Sequence, residues 1–222
     1  MHYQLRGNVE YCVATGEVII LDVERARYLT LAPDCRDAFL RLLDSQGLVA
    51  DSDLRELEVL RRGGYLVEGP SSEWTRKALD IAHEDFHTPQ GQKPQPLFLI
   101  YAITSQWNIA ARLRVSSLST VIKYARRPGI RLSTRAKDSD RLIQFIVTGF
   151  EKSSLLLGRT DRCLIRSLAM FTMLQRREVR SRLVFGVRAD PFAAHCWVES
   201  GSAVLNDAAE HVRCFTPVMV VQ

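Results

Sequence analysis

The sequence has no long apolar run and no pattern typical of a secretory signal. Its longest uninterrupted apolar run is LFLIYAI at residues 97–103, far below the roughly 20 residues that a transmembrane helix needs. Its first residues, MHYQLRGNVEY, do not place charged residues ahead of an apolar segment, as a secretory signal does. Internal repeats and low-complexity tracts are also missing. We therefore expect a soluble cytoplasmic protein with no membrane span.

Cysteine is sparse and scattered. An odd number of cysteines without any C-x-x-C pair argues against a disulfide framework and against a zinc site. No metal is expected, and each thiol has to be judged by its own surroundings. The five cysteines are Cys12, Cys35, Cys163, Cys196 and Cys214.

Charge is distributed unevenly along the chain. Residues 1–70 contain 8 Lys and Arg against 12 Asp and Glu, whereas the remainder contains 22 against 13. Such asymmetry indicates two units with different partners. The basic segment from Lys123 to Arg127 would permit contact with nucleic acid or a membrane surface, but basic faces are common on soluble helices. We rank that interpretation last and expect no nucleic acid partner.

Short strands and then helices are predicted for the first 70 residues. Runs at 9–14, 17–23 and 27–31 are rich in β-branched and aromatic residues and are separated by turn formers, which is typical of a three-stranded meander. Helical patterns follow at 32–47, where Pro33 suits a first turn, and at 51–64, before a short strand at 65–69. This order predicts a winged-helix-like α/β module over residues 1–70.

A linker is predicted over residues 71–96, because the segment ends in a stretch rich in proline, glycine and glutamine. It has room for a helical turn around Trp74 to Phe86. Residues 97–222 form the second unit. It opens with helical patterns that Pro128–Gly129 separates, and we expect scaffold helices around a core.

The last third of the chain carries residues suited to covalent chemistry. The run 161–179 predicts a helix with Cys163 in its first turn, where the helix dipole and free backbone N–H groups favour a thiolate. Strand-like runs follow at 182–187, 193–199 and 202–207, and a turn at Gly201 would bring His195 close to Asp207 across a hairpin. A thiol, a histidine that takes its proton and an acid that orients the histidine are the components of a thiol hydrolase.

Each of these residues also has a structural interpretation. A lone cysteine such as Cys163 is usually a buried small hydrophobic residue. His195 beside Trp197 is more often a packed ring, and Asp207 a turn former. The occurrence of all three residues in this order favours a catalytic triad, but the structural interpretation stays open. Since Cys196 follows His195 on a strand, its side chain should point to the opposite face, as a structural or incidental thiol.

Four motifs in this region resemble one family. They are C-L-x-R-S-L at the helix start, L-V-x-G-V-R-x-x-P-F before the histidine, H-x-W-V-E around it and a closing N-D. In this order they resemble the transglutaminase-like, papain-related core of the lasso peptide biosynthesis B proteins, the leader peptidases of those pathways. The resemblance covers roughly residues 95–222 and implies a nucleophile at Cys163, a base at His195 and an acid at Asp207. The chain departs from many relatives in having Cys196 where they have a smaller residue. The resemblance does not identify the oxyanion donor, and on physical grounds we expect the backbone N–H of Cys163 in this role.

Residues 1–70 are similar to the peptide-recognition element of ribosomal peptide pathways, a likeness carried by ILDVERARYLTL and the helices after it. Together the two resemblances imply an α+β fold, with a small winged-helix-like recognition module followed by a papain/transglutaminase-like domain of helices packed on an antiparallel sheet. A leader peptide would be held by the third strand and the last helix of the module. The residues concerned are Arg27, Tyr28, Leu29, Thr30, Leu31, Leu57, Leu60 and Arg61.

The implied activity is that of a cysteine peptidase that binds the leader of a ribosomally made lasso precursor peptide and hydrolyses the leader–core bond. A threonine near the end of the leader is what the family usually recognises. The core would pass to an asparagine-synthetase-like lasso cyclase, through which any nucleotide dependence would enter, since no cofactor is expected for the chain itself. Two alternatives stay open, a transglutaminase-type acyltransferase and a non-catalytic escort of the precursor peptide.

Overall fold

The computed structural model describes residues 1–69, 74, 80–87, 95–127, 136–157 and 162–222. No helix in this part of the chain combines the length and apolar character needed to cross a membrane. In chain order the elements are β1 (Tyr3–Leu5), β2 (Val9–Ala14), β3 (Glu17–Asp22), β4 (Arg27–Thr30), α1 (Pro33–Asp44), α2 (Glu58–Arg62), β5 (Leu66–Glu68), β6 (Glu84–Asp85), α3 (Pro96–Val115), α4 (Leu118–Ala125), α5 (Ala136–Leu157), α6 (Cys163–Gln175), β7 (Arg182–Arg188), β8 (Ala193–Ser200), β9 (Ala203–Val204), α7 (Ala209–Val212) and β10 (Thr216–Val221).

The N-terminal meander is confirmed, because β2, β3 and β4 pair in sequence order as an antiparallel sheet. Strand β5 instead pairs with β1. Helix α2 is much shorter than the predicted helix over 51–64, since a 3-10 turn occupies Asp51–Asp53. That turn is tied to α1 by an ion pair of 2.8 Å between the buried carboxylate of Asp53 and Arg41.

Strand β3 is buried on both faces, and this explains its continuous apolar run. Val18 and Ile20 belong to a core formed with α1 and α2. Ile19 and Leu21 point the other way and belong to the main core, which includes residues of α6, β7 and β10. The N-terminal sheet is thus packed between two cores. The division into a module over 1–70 and a domain over 97–222 stays a prediction.

The predicted linker over 71–96 lies partly outside the described residues. Trp74 is buried in the core that β3 forms with α1 and α2, the N-terminal core. Its indole N–H donates to the carbonyl oxygen of Tyr3 at 3.3 Å. Further on, β6 joins the C-terminal sheet by pairing in parallel with β9. The described residues 80–87 contain no helical turn. Residues 75–79, where the rest of the suggested turn would fall, lie outside the described part of the chain.

Helices packed on a largely antiparallel sheet form the C-terminal half, as predicted. The sheet has the order β10-β7-β8-β9-β6, with only the β6–β9 pair parallel. Helix α6 lies at the centre, and each of its residues from Ser167 to Leu174 is buried. It packs against β8. This packing brings the first residue of α6, Cys163, to the strand that carries His195.

Candidate active site

Cys163, His195 and Asp207 lie together at the amino end of α6. His195 Nε2 and Asp207 Oδ2 are 2.5 Å apart, and the imidazole also hydrogen-bonds the thiol of Cys163. Because a carboxylate only accepts hydrogen bonds, His195 Nε2 carries the hydrogen, which leaves Nδ1 as the nitrogen able to take a proton from the thiol. The geometry therefore suits proton transfer from the thiol to an oriented imidazole.

Asp207 reaches His195 from a loop and not from a strand, so the predicted strand over 202–207 is too long. The hairpin at Gly201 is confirmed, with φ 60° at that residue, but β9 contains only Ala203–Val204. Past that point Asn206 Oδ1 accepts the backbone N–H of Val198 at 2.8 Å. The side chain of Asn206 thus takes the place of a backbone acceptor on β9, and the loop that follows turns Asp207 towards His195.

The three side chains shift each other's protonation in the direction that a nucleophilic thiol requires. The hydrogen bond from His195 lowers the pKa of Cys163 below its usual value, against an opposing effect of burial. Burial alone would lower the pKa of His195, but hydrogen bonds to Asp207 and Cys163 outweigh it and raise the pKa to about 9. Burial likewise opposes ionisation of Asp207, yet hydrogen bonds from two histidines bring its pKa down to about 2. These shifts favour a thiolate–imidazolium pair beside a carboxylate.

The start of α6 adds donors to this arrangement. The backbone N–H groups of Leu164 and Cys196 are directed at the sulfur of Cys163 and also favour its thiolate form. Within the described part of the chain Arg162, the residue before the helix, makes no side-chain hydrogen bond to cap it. Apart from the N–H of Leu164, the first-turn N–H groups are thus suited to an incoming anion, such as the oxyanion of a tetrahedral intermediate.

Ser167 and Asn206 fix the loop to the helix, and the sequence did not single them out. Ser167 Oγ donates to the carbonyl oxygen of Cys196 at 2.7 Å, and Asn206 Nδ2 donates to Ser167 Oγ at 2.7 Å. Serine from C-L-x-R-S-L and asparagine from the closing N-D therefore meet in the structure. Their presence in separate motifs was the available signal, but their contact requires the fold.

Trp197 and Glu199 of the H-x-W-V-E motif support the imidazole ring of His195. The rings of His195 and Trp197 are stacked, with centroids 5.9 Å apart and an angle of 19°. The indole N–H of Trp197 donates to Glu199 at 2.8 Å. Glu199 is completely buried, and its other oxygen pairs with Arg182 at 2.7 Å. A buried carboxylate is costly unless it is paired in this way.

Gly186 leaves space for the indole ring of Trp197. It lies opposite His195 in the β7–β8 register, and a Cβ atom at this position would come within 2.7 Å of the Trp197 ring. Only glycine fits here without displacing the indole. This packing explains the glycine of L-V-x-G-V-R.

The other described thiols lack the surroundings of Cys163. Cys196 is 3% exposed and belongs to the main core, on the opposite side of β8 from His195, as expected. Burial raises its pKa far above the usual value. Burial also raises the pKa of Cys35, and that of Cys12 to about 12. Cys214 is exposed. The pKa of Cys163 is lowered, in contrast to those of Cys12, Cys35 and Cys196.

The triad lines an open cleft of about 580 Å³. His211, which the sequence did not single out, also lines it and hydrogen-bonds to Asp207. Nitrogen and oxygen atoms of His195, Asp207 and His211 lie within 4.8 Å of one another, a set that could hold a metal ion. Their mutual hydrogen bonds account for the cluster without one. Further residues around the cleft are Asp85, Phe86, Glu151, Arg166 and Leu205.

The residues that the resemblance assigns to leader binding fall into three groups. Strand β4 (Arg27–Thr30) is at the edge of its sheet, and within the described residues it pairs only with β3. Leu31, Leu57 and Leu60 are buried in the N-terminal core. Arg61 is partly exposed and pairs with a neighbouring glutamate on α2. The strand is therefore accessible, whereas the leucines support it from within.

Strand β4 also comes close to the strand that carries His195. The ring of Tyr28 packs edge-on against Phe192, just before β8, at a centroid distance of 5.8 Å. Burial raises the pKa of Tyr28, and the nearby thiols of Cys196 and Cys163 raise it further. The sequence placed Tyr28 on the recognition strand, but its proximity to the site follows only from the fold.

Comparison with known proteins decides the family. A model of the transglutaminase-like superfamily matches residues 105–220, just over half of the chain. The chain belongs to the transglutaminase-like superfamily. In addition, 46 residues are 48% identical to the Microcin J25-processing protein McjB of Escherichia coli. That segment spans 21% of this chain and 22% of the relative, so less than a quarter of either protein is covered. No solved structure matches the chain significantly.

Proposed function

We propose that this transglutaminase-like protein is a cysteine peptidase that removes the leader from a ribosomally made lasso precursor peptide. The observation that carries the proposal is the hydrogen-bonded series Cys163–His195–Asp207, with a thiol of lowered pKa in an open cleft. A relative whose name describes processing of microcin J25 supports a reaction on a peptide.

The proposed reaction begins from the thiolate–imidazolium pair that forms when the proton of the Cys163 thiol moves to His195 Nδ1. The thiolate attacks the carbonyl carbon of the leader–core bond, and first-turn N–H groups of α6 stabilise the oxyanion. The imidazolium of His195 then protonates the leaving amine, which departs with the core, while the leader stays as a thioester on Cys163. Water, deprotonated by His195, attacks the thioester and releases the leader as a carboxylic acid.

Recognition is assigned to the outer edge of β4. Leu31 donates its N–H to the Val18 oxygen on β3 at 3.1 Å, and alternate residues of a strand point to opposite sides. The backbone groups of Tyr28 and Thr30 therefore face outwards, where an added peptide strand could pair with them. Because Tyr28 also contacts Phe192, a leader bound here would be held close to the site, at raised effective concentration. The freed core would pass to an asparagine-synthetase-like cyclase.

The test is incubation with the cognate precursor peptide in H₂¹⁸O, followed by mass spectrometry. Hydrolysis predicts a free core and a leader acid that carries ¹⁸O, with neither product formed by Cys163→Ala. A second reaction with added glycine methyl ester separates the rivals. A leader–amine adduct in place of the acid would establish an acyltransferase. Binding of the peptide without any product would establish an escort, and either result would overturn the proposal.

A further inference from the structure

The Asp207 carboxylate is held by three donors. Oδ2 accepts hydrogen bonds from His195 Nε2 at 2.5 Å and from His211 Nδ1 at 2.9 Å. Oδ1 accepts the backbone N–H of Ala208 at 2.8 Å. A triad needs only one of these bonds, that between the acid and the catalytic histidine. The second histidine on the same oxygen is therefore an additional feature of this chain.

The position of His211 is fixed although half of its side chain is exposed. Its ring packs edge-on against Phe215, with centroids 5.4 Å apart and an angle of 85°, and lies 5.0 Å from the ring of His195. The short helix α7 that carries it is anchored, since the N–H of Ala209 donates to Asp85 at 2.6 Å. The Nδ1 donor is consequently presented to Asp207 by a supported ring.

We propose that His211 is a positioning residue that holds the Asp207 carboxylate in the orientation His195 requires. Oδ1 is bonded to an adjacent backbone group and Oδ2 to both imidazoles, so rotation of the carboxylate would break bonds at both oxygens. Without His211, water would occupy the exposed side of Oδ2 and the carboxylate would be less well oriented. The imidazole ring of His195 would then be less well aligned with Cys163.

The competing explanation is that His211 merely stabilises α7, since Asp207 and His211 are four residues apart. A purely structural bond would affect unfolding and would leave the turnover rate of the folded protein unchanged. A positioning bond would affect turnover and leave substrate affinity unchanged, because leader recognition is assigned to the edge of β4, although His211 also lines the cleft. Asparagine separates the two explanations, since its Nδ2 can occupy nearly the place of histidine Nδ1 and donate to Asp207.

This inference rests on the proposed function for its kinetic test. We expect His211→Ala to lower kcat for precursor cleavage about tenfold, as loss of one hydrogen bond to a charged group predicts, with KM unchanged. His211→Asn should recover most of the loss. His83→Ala is the matched control, because the side chain of His83 is 63% exposed and outside the site. Thermal unfolding of each variant shows that the proteins compared are folded.

A second readout needs no substrate. The rate at which iodoacetamide alkylates Cys163, resolved from the other thiols by peptide mapping, should fall in His211→Ala and recover in His211→Asn. If His211→Ala kept the kcat and the alkylation rate of the wild-type protein, the inference would be overturned. It would also be overturned if His211→Asn had a kcat and an alkylation rate as low as those of His211→Ala. Should the wild-type protein cleave nothing, the proposed function fails, and the alkylation rates still decide the role of His211.

Discussion

Replacing Asp207 by asparagine tests the electrostatics of the site, because the substitution keeps the shape of the side chain and removes its charge. The imidazolium of His195 exists below its pKa and is lost above it. With Asp207 that pKa is about 9, compared with an ordinary value of 6.5, and the hydrogen bond to Asp207 is the largest favourable contribution. Without the charge, burial prevails and the pKa falls towards the ordinary value or below it.

The consequence is a displaced pH profile. In the wild-type protein kcat/KM should rise as Cys163 ionises and fall as His195 loses its proton near about pH 9. In Asp207→Asn the fall should begin near the ordinary value. One pH unit above a pKa only about one molecule in ten keeps its proton, so at about pH 7.5, one unit above the ordinary value of 6.5, the loss is about tenfold from protonation alone. Poorer orientation of the ring adds to that loss.

The assay is the initial rate of precursor cleavage by chromatography and mass spectrometry, at about ten pH values between about pH 5 and about pH 10. Asp80→Asn is the control, since the Asp80 side chain is 86% exposed and its profile should match that of the wild type. If Asp207→Asn kept an alkaline limb near about pH 9, the assignment of the raised His195 pKa to Asp207 would be wrong.

Three further predictions concern the surroundings of the triad. Gly186→Ala brings a methyl group within 2.7 Å of the Trp197 ring, so the free energy of unfolding should fall by about 1–3 kcal/mol, as measured by denaturant titration. Thr30→Pro removes an outward N–H from β4 and should raise KM for the precursor, whereas Thr30→Val keeps the N–H and should not. Iodoacetamide should alkylate Cys163 faster than Cys196 in the native protein, and peptide mapping measures both rates.

The proximity of Cys163, His195 and Asp207 could be predicted because its signal is local. Cys163 falls in the first turn of a helix, and one glycine turn separates the strand of His195 from the segment of Asp207. Asn206, Ser167 and His211 could not be assigned roles in the same way, since each acts through a contact between elements that only the fold brings together.

Two features of the fold were not predicted, because the sequence patterns concerned are compatible with more than one structure. The strand β10 was not predicted, because Pro217 lies within it and proline is unfavourable in a strand interior. The structure accommodates it with a register shift between Pro217 and Met219. The apolar run of β3 predicted a strand but not its burial between two cores. Pattern alone does not state what covers each face of a sheet.

The central claim is that Cys163 is the nucleophile of a leader peptidase. The most direct measurement is cleavage of the cognate precursor by two variants, each with one cysteine replaced. Cys163→Ala should form no leader acid, whereas Cys196→Ser should cleave whenever it remains folded, because Cys196 points into the core. Undiminished cleavage by Cys163→Ala would contradict the account.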